Sequence, residues 1–225
     1  MKEIIYHGSD HIIDKPEFGK GKPNNDYGRG FYCTKSEELA KEWACGNGEN
    51  GYANKYELDM TGLKVIDLNS EDYNILNWLA VLTHNRTYWQ NSSISAEAKE
   101  YLQKNFYVDI SGYDVVVGYR ADDSYFTFAQ DFVAGAISVQ KLKRAMHLGE
   151  LGKQIVLMTP KAFSNLKFVG AEEADAKIFF TQKMERDNKA RRQYREDRAT
   201  GSDLNELYML DIMRGKIENG DTRLQ

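Results

Sequence analysis

Tyr27-Gly28-Arg29-Gly30-Phe31-Tyr32-Cys33-Thr34 decides how the rest of the chain is read. Two glycines let the backbone turn, and the four residues after them are aromatic or strand-favouring, so a loop enters a short strand. Thr34 and Glu37 fit the S/T-x-x-E capping box, which predicts a helix burying Leu39, Ala40, Trp43 and Ala44. The order is loop, strand, helix. A Gly-x-Gly that lacks a third glycine and precedes its strand is not a dinucleotide fingerprint of the doubly wound kind.

Upstream, Ile4-Ile5-Tyr6 reads as a strand that stops at His7-Gly8-Ser9, and residues 10–26 read as a polar loop punctuated by Pro16, Gly19, Gly21 and Pro23. Downstream, a Gly/Asn-rich stretch over 46–54 gives way to strands around 56–60 and 63–68. Apolar residues at helical spacing (Ile75, Leu76, Leu79, Leu82, then Ala98, Tyr101, Leu102) predict two helices between 69 and 106. Val115-Val116-Val117 predicts a buried strand, central by its composition. Ala121-Asp122-Asp123 turns into an aromatic helix carrying Tyr125, Phe126, Phe128 and Phe132. A helix over about 138–147 and a last buried strand over 154–158 follow, before Pro160.

The texture then changes. Residues 183–198 hold seven Lys/Arg against four Asp/Glu, and a second amphipathic stretch carries Leu204, Leu207, Tyr208, Leu210 and Ile212. The fold class is therefore α/β (α+β), with a domain over 1–170, a helical insertion at about 69–107 lying outside any cleft, and a helical appendage over 171–225.

Composition excludes several classes. The chain has 225 residues, 41% of them hydrophobic and 28% charged, with three prolines, which is ordinary globular usage. No apolar run approaches the about 18 residues of a membrane span, and no secretory h-region is visible at the start, so no membrane partner is expected. Cys33 and Cys45 form no disulfide framework, which points to reduced thiols in a cytoplasmic protein. The four histidines have no metal-ligand spacing, so no metal is expected. A net charge of −4 argues against a surface that is one nucleic-acid footprint.

Three segments carry chemistry: His7-Gly8-Ser9 on the first strand, Gly28-Arg29-Gly30-Phe31-Tyr32 before a capped helix, and Gln154-Ile155-Val156-Leu157 late in the domain. In this order they resemble the catalytic domain of the ADP-ribosyltransferases, in the diphtheria-toxin and poly(ADP-ribose)-polymerase branch. The layout looks most like a bacterial family of that clan, some members of which sit in toxin–antitoxin pairs. The resemblance covers about residues 1–170. It implies a split β-sheet core around an NAD cleft, NAD as substrate, mono-ADP-ribosyl transfer to a protein or nucleic-acid acceptor, and an antitoxin as a further partner.

By that resemblance His7 holds a ribose hydroxyl, the Gly8 backbone pairs with the nicotinamide amide, and Tyr32 supplies a flat face for the nicotinamide ring, its hydroxyl turned outward. Ser9, Gly28, Gly30 and Phe31 line the cofactor, Arg29 reaches a phosphate, and Ser36 bonds the carboxamide. The departure is Gln154, where the family has Glu. An amide accepts a hydrogen bond from a ribose hydroxyl but takes no proton. Chain elongation into a polymer is then not expected, and three outcomes stay open: transfer of one ADP-ribose, hydrolysis of NAD, or binding without turnover. Asp122, Asp123 and Glu150 are the carboxylates nearest in sequence to supply a base.

Each residue also has a plainer reading. His7 alone is a histidine satisfied by a neighbouring carbonyl, and Tyr32 alone is a core aromatic. Asp122 and Asp123 suit the N-terminus of a helix whatever the function. Cys33 has no paired base in sequence and reads as a small hydrophobe. The charges of 183–198 make an exposed face with internal ion pairs, and an interaction protein working through its C-terminal arm is the competing class.

Overall fold

The computed structural model describes residues 1–86, 93–121, 123–201 and 205–224. Seven strands form one mixed sheet: β1 (Lys2–Ser9), β2 (Phe31–Thr34), β3 (Gly51–Asp59), β4 (Val65–Asp67), β5 (Val115–Gly118), β6 (Gln154–Leu157) and β7 (Leu166–Ala174). Their order across the sheet is β4-β5-β6-β2-β1-β3-β7. The pair β4–β5 is parallel, and the other neighbours are antiparallel.

The joint between β1 and β2 positions the site. β1 pairs with β3 at eight positions, from Lys2↔Asp59 to Ser9↔Tyr52, but with β2 only at Tyr6↔Thr34. The sheet is thus one series of strands made of two blocks, β4-β5-β6-β2 and β1-β3-β7, held at a single pair and parting beyond it. The expected turn at His7-Gly8-Ser9 is instead strand: the β3 ladder carries β1 through these residues, past the point where β2 leaves. The expected central place for the valine strand is likewise corrected. β5 lies second from the edge, and its burial comes from helices and side chains covering both faces.

Alternation along β2 and β6 divides the core. Phe31, Cys33, Ile155 and Leu157 face a cluster with Ile5, Tyr56 and Leu58, whereas Tyr32 and Val156 face the larger helical cluster. Helix α1 (Glu37–Ala44) starts at an N-cap two residues later than expected: Ser36 accepts the Leu39 N–H at 3.2 Å, while Thr34 ends the strand and accepts the Ser36 N–H at 3.1 Å. Trp43 is only half-buried, its ring stacked under a guanidinium at the sheet rather than in the core.

Helices α2 (Ile75–Asn85) and α3 (Ser93–Asn105) make up the expected insertion and line no part of the cavity described below, although Arg86 after α2 does. α2 is buried from Ile75 to Thr83, at the middle of the large cluster, because its sequence is apolar nearly all round. Helix α4 (Asp123–Val133) packs between α3 and α5 (Val139–Ala145), and the one-turn α6 (Pro160–Ser164) follows β6.

The C-terminal segment departs most from expectation. β7 runs to Ala174 across the expected boundary at 170, and then α7 (Ala176–Ala199) and α8 (Met209–Arg214) join the same core. Ala190, Tyr194, Met209, Ile212 and Leu224 belong to the large cluster, and the Tyr194 ring stacks on Phe128 at 4.0 Å. Most charges of α7 are exposed, but a few tie it to the body: Arg186 pairs with Glu42, and Asp187 accepts from Ser124 as well as from Arg191 one turn along. The stretch 183–198, short of large aliphatics, docks through Tyr194 and these ion pairs, whereas α8 docks through Met209 and Ile212. Leu204 lies outside the described residues. Among them, no helix is long and apolar enough to cross a membrane.

Candidate functional site

A cavity of about 880 Å³ opens where β1 leaves β2. His7 reaches it from β1, Tyr32 from β2 and Gln154 from the first position of β6, so three residues distant in sequence share one wall. The loop over residues 10–26 forms the facing wall.

The Nδ1 of His7 lies 2.7 Å from the carbonyl oxygen of Tyr32. A carbonyl only accepts, so Nδ1 carries the proton and donates. Burial lowers the His7 pKa against that bond, and the nearby charge of His11 lowers it further. The ring is therefore neutral at neutral pH, and Nε2 is an acceptor. It would receive a hydroxyl proton rather than donate to a ribose. Phe31, also on the cavity wall, supports the ring with centroids 4.4 Å apart.

Tyr32 is held at its far end. Its hydroxyl donates to Gly28 O at 2.6 Å and accepts the Tyr27 N–H at 3.1 Å. The outward hydroxyl of the sequence reading is thus corrected: the turn before β2 folds back and satisfies it. Burial pushes its pKa far up, so the residue presents a fixed, neutral ring.

Gln154 stands opposite Thr34 and is 7% exposed. Its Oε1 is buried and has no hydrogen-bond partner among the described residues. Buried acceptors are almost always paired, so an orphan on a cavity wall marks a place where a donor belongs.

The other residues of the three segments divide. Ser9 lines the cavity, but its Oγ donates to His11 O at 2.6 Å and accepts from Asn54 Nδ2 at 2.8 Å, so it braces the wall. Gly30 also lines it, yet its lack of a side chain is explained by β6: a Cβ there would sit 2.5 Å from Val156 Cγ1. Gly28 takes a φ of +78° in the turn. Gly8 is not on the wall. A Cβ there would lie 2.0 Å from Ala40 O, so its glycine serves the approach of α1 to β1.

Arg29 is exposed, off the wall, and donates to Gly19 O at 3.0 Å. Ser36 and Glu150 line a different cavity of about 710 Å³, which shares no residue with the first, so neither reaches His7. The strand pair carrying Thr34 and Gln154 puts the helix cap and the 150 turn beyond the cleft. Asp122 lies outside the described residues, and Asp123 begins α4. Cys33 is fully buried with its thiol pKa pushed well up, which suits packing and not nucleophilic attack.

Four residues that sequence reading missed complete the site: Asn54, Asp26, Arg86 and Arg120. Asn54 is completely buried on β3. Its amide donates to His7 O, Ser9 Oγ and His11 O while its oxygen accepts the Ile13 N–H at 2.8 Å, which fixes the start of the loop. Asp26 accepts from Arg86 and from the Ala121 N–H at 2.8 Å, tying the loop, the C-cap of α2 and the chain after β5 together. Arg120 lies over the Trp43 ring, 3.1 Å from its centroid. The wall thus carries Lys15, Lys20, Lys22, Arg86 and Arg120 against Asp14, Glu17 and Asp26, a cationic surplus suited to a phosphorylated ligand. Only the Asn24-Asn25-Asp26 cluster and the Arg after a buried strand hinted at these in sequence.

A family model described as "Protein of unknown function (DUF3990)" matches residues 3–168, about three quarters of the chain and the whole of the cavity wall. No curated protein and no solved structure matches.

Proposed function

Since the chain belongs to the family described as Protein of unknown function (DUF3990), its activity has to be read from its own cavity, and we propose that it binds NAD there and transfers ADP-ribose to a macromolecular acceptor, on a fold of the ADP-ribosyltransferase kind. The observation that carries this reading is the meeting of His7, Tyr32 and Gln154 on one wall at the parting of β1 and β2, with Gln154 Oε1 left without a donor.

The residues present fit the group. A cavity of about 880 Å³ accommodates a dinucleotide, and the lysines and arginines of the wall suit a pyrophosphate. NAD supplies a glycosidic bond whose breaking builds positive charge on the ribose and releases neutral nicotinamide. His7 Nε2 and Gln154 Oε1 are two acceptors for ribose hydroxyls, one fixed by its Nδ1 bond and one by the first residue of β6. Tyr32 offers its ring, locked at the hydroxyl, for the nicotinamide to lie against.

The decisive experiment is nicotinamide release from NAD by the wild type beside His7→Ala and Tyr32→Ala, with adenylate-labelled NAD and cell lysate present. Release abolished by both substitutions, with label on protein or nucleic acid, is the expected result. Release without label makes the chain an NAD glycohydrolase. The amide at Gln154 favours a second reading, an NAD or ADP-ribose binding module without turnover, which a raised Tm with NAD and no released nicotinamide would establish. A cytoplasmic toxin restrained by an antitoxin is the setting the resemblance proposes.

A further inference from the structure

A transferase with Gln154 in the late-strand position still has to remove a proton from its acceptor, and an amide takes none. The carboxylates on the wall are poorly suited. Asp26 is committed to Arg86 and to the Ala121 N–H, Glu17 faces Lys20 at 3.7 Å, and Asp14 is exposed with no neighbouring group shown to orient it.

The loop after β1 brings a second imidazole to the cavity. His11 lines it, and its Nδ1 lies 2.5 Å from Oδ1 of Asp10. The hydrogen bond and charge of His11 hold the Asp10 carboxyl below its usual range, so it stays ionised and accepts from Nδ1–H. That fixes the tautomer in which Nε2 is basic. The backbone beneath is strapped, since His11 O accepts from Ser9 Oγ at 2.6 Å and from the buried Asn54 amide at 3.4 Å. The side chains of His11 and Asp10 are 70% and 85% exposed, which puts the pair at the solvent-open rim, the side from which a macromolecule must arrive.

We propose that His11, oriented by Asp10, is the general base of this site. The inference rests on the transferase reading above. The bond between the ribose and nicotinamide breaks and its electron pair leaves with nicotinamide. An acceptor X–H forms the new bond from X to the ribose carbon, and its proton passes to His11 Nε2, giving an imidazolium beside the Asp10 carboxylate. The titratable and charged groups lining the same cavity are His7 on β1, Asp14, Lys15, Glu17, Lys20, Lys22 and Asp26 on the loop, Tyr32 on β2, and Arg86 and Arg120.

The test is the pH dependence of nicotinamide release from NAD, with lysate as acceptor, for wild type, His11→Ala and Asp10→Asn, alongside the Tm shift that NAD induces in each. Wild-type turnover should show an acid limb, falling as the pH drops and the base takes up a proton. His11→Ala should lower turnover about 100-fold and flatten that limb while keeping the NAD-induced Tm shift. Asp10→Asn should lower turnover while keeping the NAD-induced Tm shift, because it removes the carboxylate that holds Nδ1–H and leaves Nε2 free to accept. His11→Ala with wild-type turnover and profile, or with the Tm shift lost in step with turnover, overturns the assignment, whereas a wild type with no turnover at all overturns it together with the transferase reading on which it rests. Failure of the underlying reading has a separate signature: His7→Ala and Tyr32→Ala would then leave the NAD-induced Tm shift intact.

Discussion

The Nδ1 of His7 donates to the carbonyl oxygen of Tyr32 across 2.7 Å, and this contact joins β1 to β2 just beyond the single residue pair that holds them in one sheet. It makes His7 structural and functional at once, since one ring nitrogen spans the seam and the other faces the cavity.

The burial of the ring, acting against that bond, sets a pH dependence. Burial lowers the His7 pKa below its ordinary 6.5, so between that value and the native one the unfolded chain binds a proton that the folded chain refuses. The stability contributed by His7 is therefore fully present above about pH 6.5 and is lost as the pH falls through the window beneath it. We expect the Tm to drop from pH 7 to 5 and to drop less steeply in His7→Gln, which has no proton to gain there. Equal slopes in the two proteins would show that His7 is not the group refusing it.

Tyr32→Phe keeps the ring and deletes the hydroxyl that serves Gly28 O and the Tyr27 N–H. Leaving two such groups short of a partner costs about 1–3 kcal/mol. A fall in Tm of several degrees is expected, because each kcal/mol moves a chain of this size by about 2–4 °C. The NAD-induced shift should survive in Tyr32→Phe and vanish in Tyr32→Ala, which separates the ring from its tether. Loss of the shift in both would assign the hydroxyl a direct part in binding.

Gly30→Ala tests why that glycine is there. Its Cβ would meet Val156 Cγ1 at 2.5 Å and Leu157 O at 3.0 Å, and Val156 is completely buried, so the overlap cannot be relieved by a side-chain swing. We expect a loss of about 1–3 kcal/mol. Gly19→Ala is the control. Nothing lies within 4 Å of a Cβ there, and the cost is only that of a φ of +87°, about 1 kcal/mol. If urea denaturation ranks the two in the reverse order, packing against β6 is not what requires Gly30.

The elements that sequence made legible are those with a local signal. The helix after Tyr32, the apolar helices near Ile75 and Ala98, and the valine strand all announce themselves by spacing within a dozen residues. What escaped is non-local. Nothing near 171 says that β7 continues to Ala174, because that strand is held by its ladder with β3, far away in sequence. The place of α7 escaped for the same reason, since Tyr194 reads as a stray aromatic until Phe128 is set against it.

The site follows the same division. His7, Tyr32 and Gln154 stand out because they occur in motifs. Asn54, Asp26, Arg86 and Arg120 act through partners 35 to 95 residues away, and a polar residue in an isolated strand or loop gives no sign of which distant group it will meet. Gly8 shows the opposite error. It sits in a motif, yet the atom that demands a glycine is Ala40 O, on a helix that sequence could not dock.

Gln154 gives the sharpest test of the cavity as a ligand site. A buried oxygen without a donor is a cost to the ligand-free fold, of about 1–3 kcal/mol, that a site bears only if something fills it. Leucine has nearly the same bulk and no acceptor, so Gln154→Leu should leave the Tm of the free protein unchanged or raise it by several degrees, a trade of stability against function. The same variant should bind NAD about tenfold more weakly, the loss of roughly 1.4 kcal/mol expected for one hydrogen bond made in a dry pocket. Gln154→Glu separates holding from proton transfer. Its carboxylate would be buried without a partner, so the free protein should lose stability as pH rises and the side chain ionises. Turnover above that ionisation should increase if a base at this position is what the chain lacks. If Gln154→Leu instead destabilises the free protein and leaves NAD affinity intact, the side chain is a structural part of β6 and the ribose contact lies elsewhere.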